Sequence, residues 1–303
     1  MDARKLDDAA FENARRTIAA LGAASGEAIS GPTMTACAAL HPTQISHRVV
    51  RDLRYGPHPR HVLDVHAPSA SSARARPVVV YLHGGGFTKG DKSGATPFYD
   101  NIGRWAVESG YVCVNMNYRL APEVTFPAGA DDLSRVLSWI QAHIGDHGGD
   151  PTRVVVFGHS AGASHVATLI ASGRWPSAAA PRGAILSSGA YEPALSGGRY
   201  ADYFGDDPAA FAAQSSIPGL VRTAVPILLS IAELDPPAIQ RQTIALVDAC
   251  VRESGVLPPL VQAEGHNHLS VVMHLGGRDT WLGERYRRFI DTVTRSDDHD
   301  AAR

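Results

Sequence analysis

Ser160 stands in Gly158-His159-Ser160-Ala161-Gly162, directly after the apolar run Val154-Phe157 and before a stretch with helical spacing. A serine between two glycines where a strand turns into a helix can carry its hydroxyl at the tip of a tight elbow, exposed for nucleophilic attack. The glycines have a steric reason, since a Cβ on either flank would crowd the neighbouring strand or helix. The helix N-terminus beneath favours negative charge developing at that point. The bland alternative is a serine that N-caps an ordinary helix. Context has to separate the two, because five letters containing two glycines are a weak signal alone.

Context comes from three other segments. Tyr81-Leu82-His83-Gly84-Gly85-Gly86-Phe87 follows the apolar run Val78-Leu82 and sets three glycines in a row. Such a loop leaves backbone N–H groups free to face a ligand, and those of Gly85 and Gly86, with that of Ala161, could hold an oxyanion. A phosphate loop would need a Lys-Ser/Thr pair in P-loop spacing, which is missing. His83 reads as a brace for the loop. Downstream, Ala232-Glu233-Leu234-Asp235-Pro236-Pro237 puts a carboxylate at the end of the run Val225-Ile231, with Asp235 preferred and Glu233 in reserve. Asp235 could instead cap the next helix. Further on, Glu264-Gly265-His266-Asn267-His268-Leu269-Ser270 offers two histidines, of which His268 is preferred. Serine, acid and histidine in that chain order form the set a serine nucleophile needs: an attacking hydroxyl, an orienting carboxylate and a general base. The His-Asn-His spacing also allows a metal, but neither HExxH nor a carboxylate-rich partner accompanies it, so no metal is expected. His159 adjoins Ser160 on a tight turn and reads as packing or pocket wall rather than base.

Elements that could position these groups follow from periodicity. Val78-Leu82, Tyr111-Asn115, Arg153-Phe157, Ala184-Ser187 and Val225-Ile231 are short runs rich in β-branched residues and read as buried strands, with Leu260-Ala263 as the last core strand. Asp131-His143, Ala161-Ser172 and Ala238-Ser254 have apolar residues at helical spacing. Strand and helix in alternation predict an α/β fold, a mostly parallel central sheet with helices on both faces. His47-Leu53 and His61-His66, joined through Tyr55-Gly56-Pro57, read as an antiparallel pair at one edge. Residues 1–44 form an Ala-rich helical arm, broken at Gly31-Pro32 and contributing to a cap. The catalytic domain then runs over 45–295, with a small helical cap or lid inserted at 191–221, and 296–303 reads as a frayed tail. Tyr191, Tyr200, Tyr203 and Phe204 of that insertion could wall a pocket, and Tyr191 and Tyr203 with Phe87 and His159 are the candidate substrate-binding residues.

Composition excludes other classes. The chain has 303 residues and a formal net charge of -2, with its basic residues scattered, so neither nucleic acid nor an anionic membrane is an expected partner. No run is long enough to span a bilayer, and Met1-Asn13 lacks the apolar core of a secretory signal. Cys37, Cys113 and Cys250 are widely spaced and odd in number, which argues against a disulfide framework and for a cytoplasmic location. Cys113 lies in an apolar run and reads as core. The oligomeric state is not fixed by any of this, and a homodimer is compatible with it.

Tyr118-Arg119-Leu120-Ala121-Pro122-Glu123, then Phe126-Pro127-Ala128 and Asp131-Asp132, together with His83-Phe87 and Gly149-Asp150-Pro151, resemble the α/β-hydrolases related to hormone-sensitive lipase. Gly158-Ala163 and Asn267-His268 resemble the kynurenine formamidase-type (BD-FAE-like) enzymes, as does Asp235-Pro236-Pro237 with Arg241-Gln242. The resemblance covers about residues 48–290. It implies an α/β-hydrolase fold and a carboxylesterase of small-molecule esters, or an amidase such as an arylformamidase, that works without cofactor. It also implies Ser160 as nucleophile, Asp235 as acid, His268 as base, and Gly85, Gly86 and Ala161 as oxyanion donors. Where the lipase branch has an aspartate before the serine this chain has His159, and where it has His-Gly-Phe this chain has His268-Leu269-Ser270. Arg119 and Asp132 read as paired bracing, since buried charges are usually paired.

Overall fold

Alternate residues of the central strands belong to opposite layers. Val78, Val80 and Leu82 with Val154 and Val156 lie in one apolar cluster, while Val79, Tyr81, Val155 and Phe157 lie in another. A sheet buried on both faces needs such near-continuous apolar strands. In the computed structural model, which describes residues 3–24, 26–42, 44–70 and 74–295, eight strands form that sheet. They are β1 (Arg48–Arg54), β2 (Val62–Ala67), β3 (Arg76–Leu82), β4 (Val112–Met116), β5 (Gly149–His159), β6 (Gly183–Ser187), β7 (Ile227–Leu234) and β8 (Leu260–Asn267). Their order is β1-β2-β4-β3-β5-β6-β7-β8. β1 and β2 pair antiparallel at one edge and β2 runs antiparallel to β4, whereas the remaining pairs are parallel. The fold is the expected α/β one, with the antiparallel edge as read from the sequence.

The helices are α1 (Ala3–Leu21), α2 (Glu27–Ala38), α3 (Asp100–Glu108), α4 (Ala128–His143), α5 (Ala161–Ser172), α6 (Ala201–Phe204), α7 (Pro208–Gln214), α8 (Ile217–Arg222), α9 (Pro237–Ser254), α10 (Ser270–Met273) and α11 (Trp281–Val293). α4 and α5 supply Leu133, Val136, Leu137, Val166 and Ile170 to the first layer. α3 and α11 supply Ile102, Trp105, Leu282, Tyr286 and Ile290 to the second. Cys113 is fully buried in that second layer, as expected of a small core residue.

Two local expectations change. The arm is not broken at Gly31-Pro32: α2 runs through Pro32, and the break falls earlier, between Gly22 and Gly26, which have φ of 57° and 74°. Gly31, with no Cβ, relieves the clash that a proline ring imposes on the residue before it. β8 extends past Ala263 to Asn267, so His268 directly follows the strand. The insertion after β6 carries three short helices, α6 to α8, in keeping with the helical insertion expected there. The tail at 296–303 lies outside the described residues.

Candidate active site

β5 ends at His159, α5 begins at Ala161, and Ser160 between them has φ 55° and ψ −121°. An L-residue held there costs about 1–3 kcal/mol and persists only where its surroundings impose it. Two backbone approaches do so. A Cβ on Gly158 would lie 2.3 Å from the Gly162 carbonyl oxygen, and one on Gly162 would lie 2.2 Å from that of Leu82 at the end of β3. The two glycines therefore let strand, helix and neighbouring strand close around the serine.

The glycine loop leaves β3 beside this elbow. Gly85 and Gly86 have φ of 137° and 60°, and the N–H groups of Thr88 and Lys89 donate to the Gly85 carbonyl at 3.3 and 3.1 Å. A Cβ on Gly85 would overlap the Lys89 carbonyl at 1.9 Å, so this turn closes only around glycine. His83 braces the loop as expected: its Nδ1 donates to the Gly84 carbonyl at 2.7 Å, its ring stacks on Tyr118, and the Tyr118 hydroxyl donates to the His83 carbonyl at 2.8 Å. Ala161 is the first residue of α5, so its N–H has no acceptor within the helix.

His268, immediately beyond β8, reaches back to the serine. Its Nε2 lies 2.9 Å from Ser160 Oγ and its Nδ1 lies 2.6 Å from Asp235 Oδ1. Asp235 is wholly buried between β7 and α9, and its other oxygen accepts from the Ser188 hydroxyl at 2.6 Å and the Ala232 N–H at 2.8 Å. A carboxylate oxygen with two further donors is fixed in orientation as well as in charge. The reserve carboxylate, Glu233, turns away and accepts from the Gly265 N–H at 2.7 Å. His266 also turns away, with its Nδ1 3.1 Å from Ser270 Oγ and its ring stacked on His274.

Part of the chain is similar to known esterases. The BD-FAE family model matches residues 63–175. Esterase LipQ of Mycobacterium tuberculosis is 37% identical over 123 residues, 40% of this chain and 28% of that protein. Carboxylesterase NlhH of the same species is 42% identical over 94 residues, 31% of this chain and 28% of its own length. The chain thus aligns with little more than a quarter of either relative. Among solved structures, an inhibited esterase B from Lactobacillus rhamnosis superposes with a TM-score of 0.76 at 18% identity, over 97% of this chain and all of that one. An esterase from Pseudomonas putida superposes with a TM-score of 0.68 at 19% identity, covering 95% of this chain and 98% of that one. The chain has the α/β-hydrolase fold.

In this fold a cavity of about 560 Å³ opens over Ser160, lined by Gly84, Gly85 and Gly86, His159, His268 and Leu269, Tyr99 and Ile239. Its remaining wall comes from Gly26, Ile29, Ser30 and Met34 of the arm and from Arg199, Tyr200 and Asp202 of the insertion. Three candidate wall residues lie elsewhere. Phe87 is buried behind the glycine loop, stacked on Tyr203 at a ring separation of 4.5 Å, and both pack with Phe204 and Phe126. Tyr191 is buried beneath the end of β6, with its hydroxyl 3.3 Å from the Gly189 N–H. Large aromatics next to the insertion gain more from burial than from lining an open cavity. Of the insertion's other two candidates, Phe204 is buried in the same cluster and Tyr200 lines the cavity.

His159 does reach the cavity, and it also does something the sequence reading missed. Its Nε2 donates to the His268 carbonyl at 2.7 Å, bracing the loop that carries the histidine. Burial depresses its pKa to about 3, so it is neutral and suited to that single donation. Arg119 and Asp132 are paired as expected, Arg119 Nη2 lying 2.7 Å from Asp132 Oδ1, and His61 joins at 3.0 Å. Ser188 was missed as well. Its only sequence signal is a second serine after β6, and its φ of 51° marks a turn built to aim the hydroxyl at Asp235.

Three carboxylate and imidazole groups elsewhere, Asp64, His66 and Asp100, lie close enough to hold an ion. Arg51 and Lys92 already occupy the two carboxylates at 2.7 to 2.8 Å, so the cluster is a charge network complete in itself. Among the described residues, no helix is long and apolar enough to cross a membrane.

Proposed function

We propose that the protein is a serine carboxylesterase acting on short-chain or aromatic acyl esters of small molecules through Ser160, His268 and Asp235. The observation that carries the reading is the relay Asp235 Oδ1, His268 Nδ1, His268 Nε2, Ser160 Oγ, joined by contacts of 2.6 and 2.9 Å. Ser160 Oγ attacks the acyl carbonyl while His268 Nε2 takes its proton, and Asp235 stabilises the imidazolium without taking a proton itself. The N–H groups of Gly85, Gly86 and Ala161 receive the oxyanion. As the tetrahedral species collapses, His268 returns the proton to the leaving alcohol. Water, deprotonated by the same ring, then attacks the acyl-serine and releases the acid.

Short or aromatic acyl groups are favoured because the wall of the cavity is built from compact elements, α2 on one side and the 191–222 segment on the other. In this reading those two elements form the cap over a catalytic domain spanning 45–295. Cys37, Cys113 and Cys250 are all free, which suits a reducing compartment such as the cytoplasm. Ser160→Ala is expected to lower hydrolysis of p-nitrophenyl acetate by about 10⁴-fold or more. Turnover within tenfold of the parent enzyme rejects the assignment. Running N-formylkynurenine beside the ester panel separates esterase from arylformamidase action by the same groups.

A further inference from the structure

The residue before His268 is bound to the far end of the chain. Asn267 is fully buried, and its Oδ1 accepts the N–H groups of Leu269 and Ser270 at 3.1 and 2.9 Å, shaping the turn that carries His268. Its Nδ2 has its partner 234 positions away: it donates to Thr33 Oγ1, on α2, at 2.9 Å. Thr33 is likewise fully buried. An amide with both ends engaged cannot rotate, so the turn is held in one shape.

A second tether lies one turn further along. His41, just past α2, donates from Nε2 to the Met273 carbonyl at 2.6 Å, and Arg104 donates to His41 Nδ1. Burial lowers the His41 pKa to about 4, so the ring is neutral and can accept from Arg104 while donating to Met273. Apolar contact closes the arrangement. Ile18, Met34 and Cys37 of the arm pack with Leu269 and Met273 after His268 and with Leu234 before Asp235. The arm thus touches the segments flanking both partners of the serine.

We infer that Thr33 is a positioning residue for His268, acting through Asn267, so that the arm is part of the machinery that aligns the relay as well as a wall of the cavity. This rests on His268 being the base. Without the Thr33 hydroxyl the Asn267 amide loses its outer anchor, the turn gains freedom, and the 2.9 Å approach of His268 Nε2 to Ser160 is held less of the time. Small displacements of a catalytic group cost rate rather than ground-state binding.

The test compares Thr33→Val, which keeps the shape, with Thr33→Ser, which keeps the hydroxyl. For p-nitrophenyl acetate, Thr33→Val is expected to lose about tenfold in kcat with KM within about twofold, and Thr33→Ser to restore most of the loss. Melting followed by circular dichroism checks that both variants are folded at the assay temperature. Should Thr33→Val not fold, Thr33→Ala replaces it in the same comparison, with a several-fold loss of kcat expected. Parent-like kcat in the variant lacking the hydroxyl overturns the inference, and so does an equal loss in Thr33→Ser, which would assign the effect to packing. Failure of the esterase reading itself looks different: the parent enzyme would neither turn over the ester nor be labelled at Ser160 by a fluorophosphonate.

Discussion

The two halves of the site are built in opposite ways. On the side of Ser160 and the glycine loop, backbone packs on backbone: Gly158, Gly162 and Gly85 each stand where a Cβ would fall within 2.3 Å of a carbonyl oxygen. On the side of Asp235 and His268, buried polar side chains do the positioning, with Ser188 on the acid, Asn267 and Thr33 on the turn, and His159 on the His268 carbonyl. The first half tolerates no added atom. The second tolerates changes of shape but not the loss of a donor. Backbone contact fixes Ser160 once the sheet has formed, whereas His268 is aligned by hydrogen bonds that each depend on a distant element.

Acid should disturb both halves most strongly, because neutral histidines are buried in each. Desolvation lowers the pKa values of His83 and His165 on the elbow side, His41, His159 and His274 on the other, and His66 in β2, those of His41, His66 and His83 to about 4 and those of His159 and His165 to about 3. In the unfolded chain each titrates near 6.5, so between that value and the native one the unfolded state binds more protons. Stability is therefore complete above about pH 6.5 and falls as pH drops, by up to about 1.4 kcal/mol per pH unit for each histidine. Chemical denaturation at pH 7.5, 6 and 5 should show the loss, and a flat profile would contradict the neutral, buried state of these rings.

The next effect in size separates the halves. Gly162→Ala puts a Cβ 2.2 Å from the Leu82 carbonyl and should destabilise the fold by about 4 kcal/mol or more, measured as a fall in the denaturation midpoint. A soluble variant with parent stability would show that the elbow is looser than its contacts require. Ser188→Ala, the smallest change, should leave the melting temperature within a few degrees. Loss of one of three donors to Asp235 should lower kcat for p-nitrophenyl acetate by about tenfold. A large loss of stability with unchanged kcat would place Ser188 in the packing and erase the contrast.

Legibility in the sequence follows the same division. The GxSxG elbow, the glycine loop, Asp235 and His268 could be read because each is announced by neighbours in the chain: a strand before, a helix or turn after. Asp235 and His268 lie in line with Ser160, whereas Glu233 and His266 bond to Gly265 and Ser270. Composition could not place the aromatics. Phe87, Tyr191 and Tyr203 are the right residue types for a pocket wall, yet Phe87 and Tyr203 stack on each other, Tyr191 is buried in the first core layer, and Tyr200 stands at the cavity. α3 and α11 went unread, although Leu282, Tyr286 and Ile290 share one face of α11.

What the sequence determined by itself is the strand-and-helix alternation, the strained serine and the order of the three chemical groups, since these depend on local sterics and hydrophobic period. Tertiary structure alone decided which residues of the arm, Gly26, Ile29, Ser30 and Met34, wall the cavity and that Thr33 anchors Asn267. A hydrogen bond spanning 234 positions leaves no local trace: either side chain would be unremarkable where it stands, and only the burial of both makes the bond obligatory.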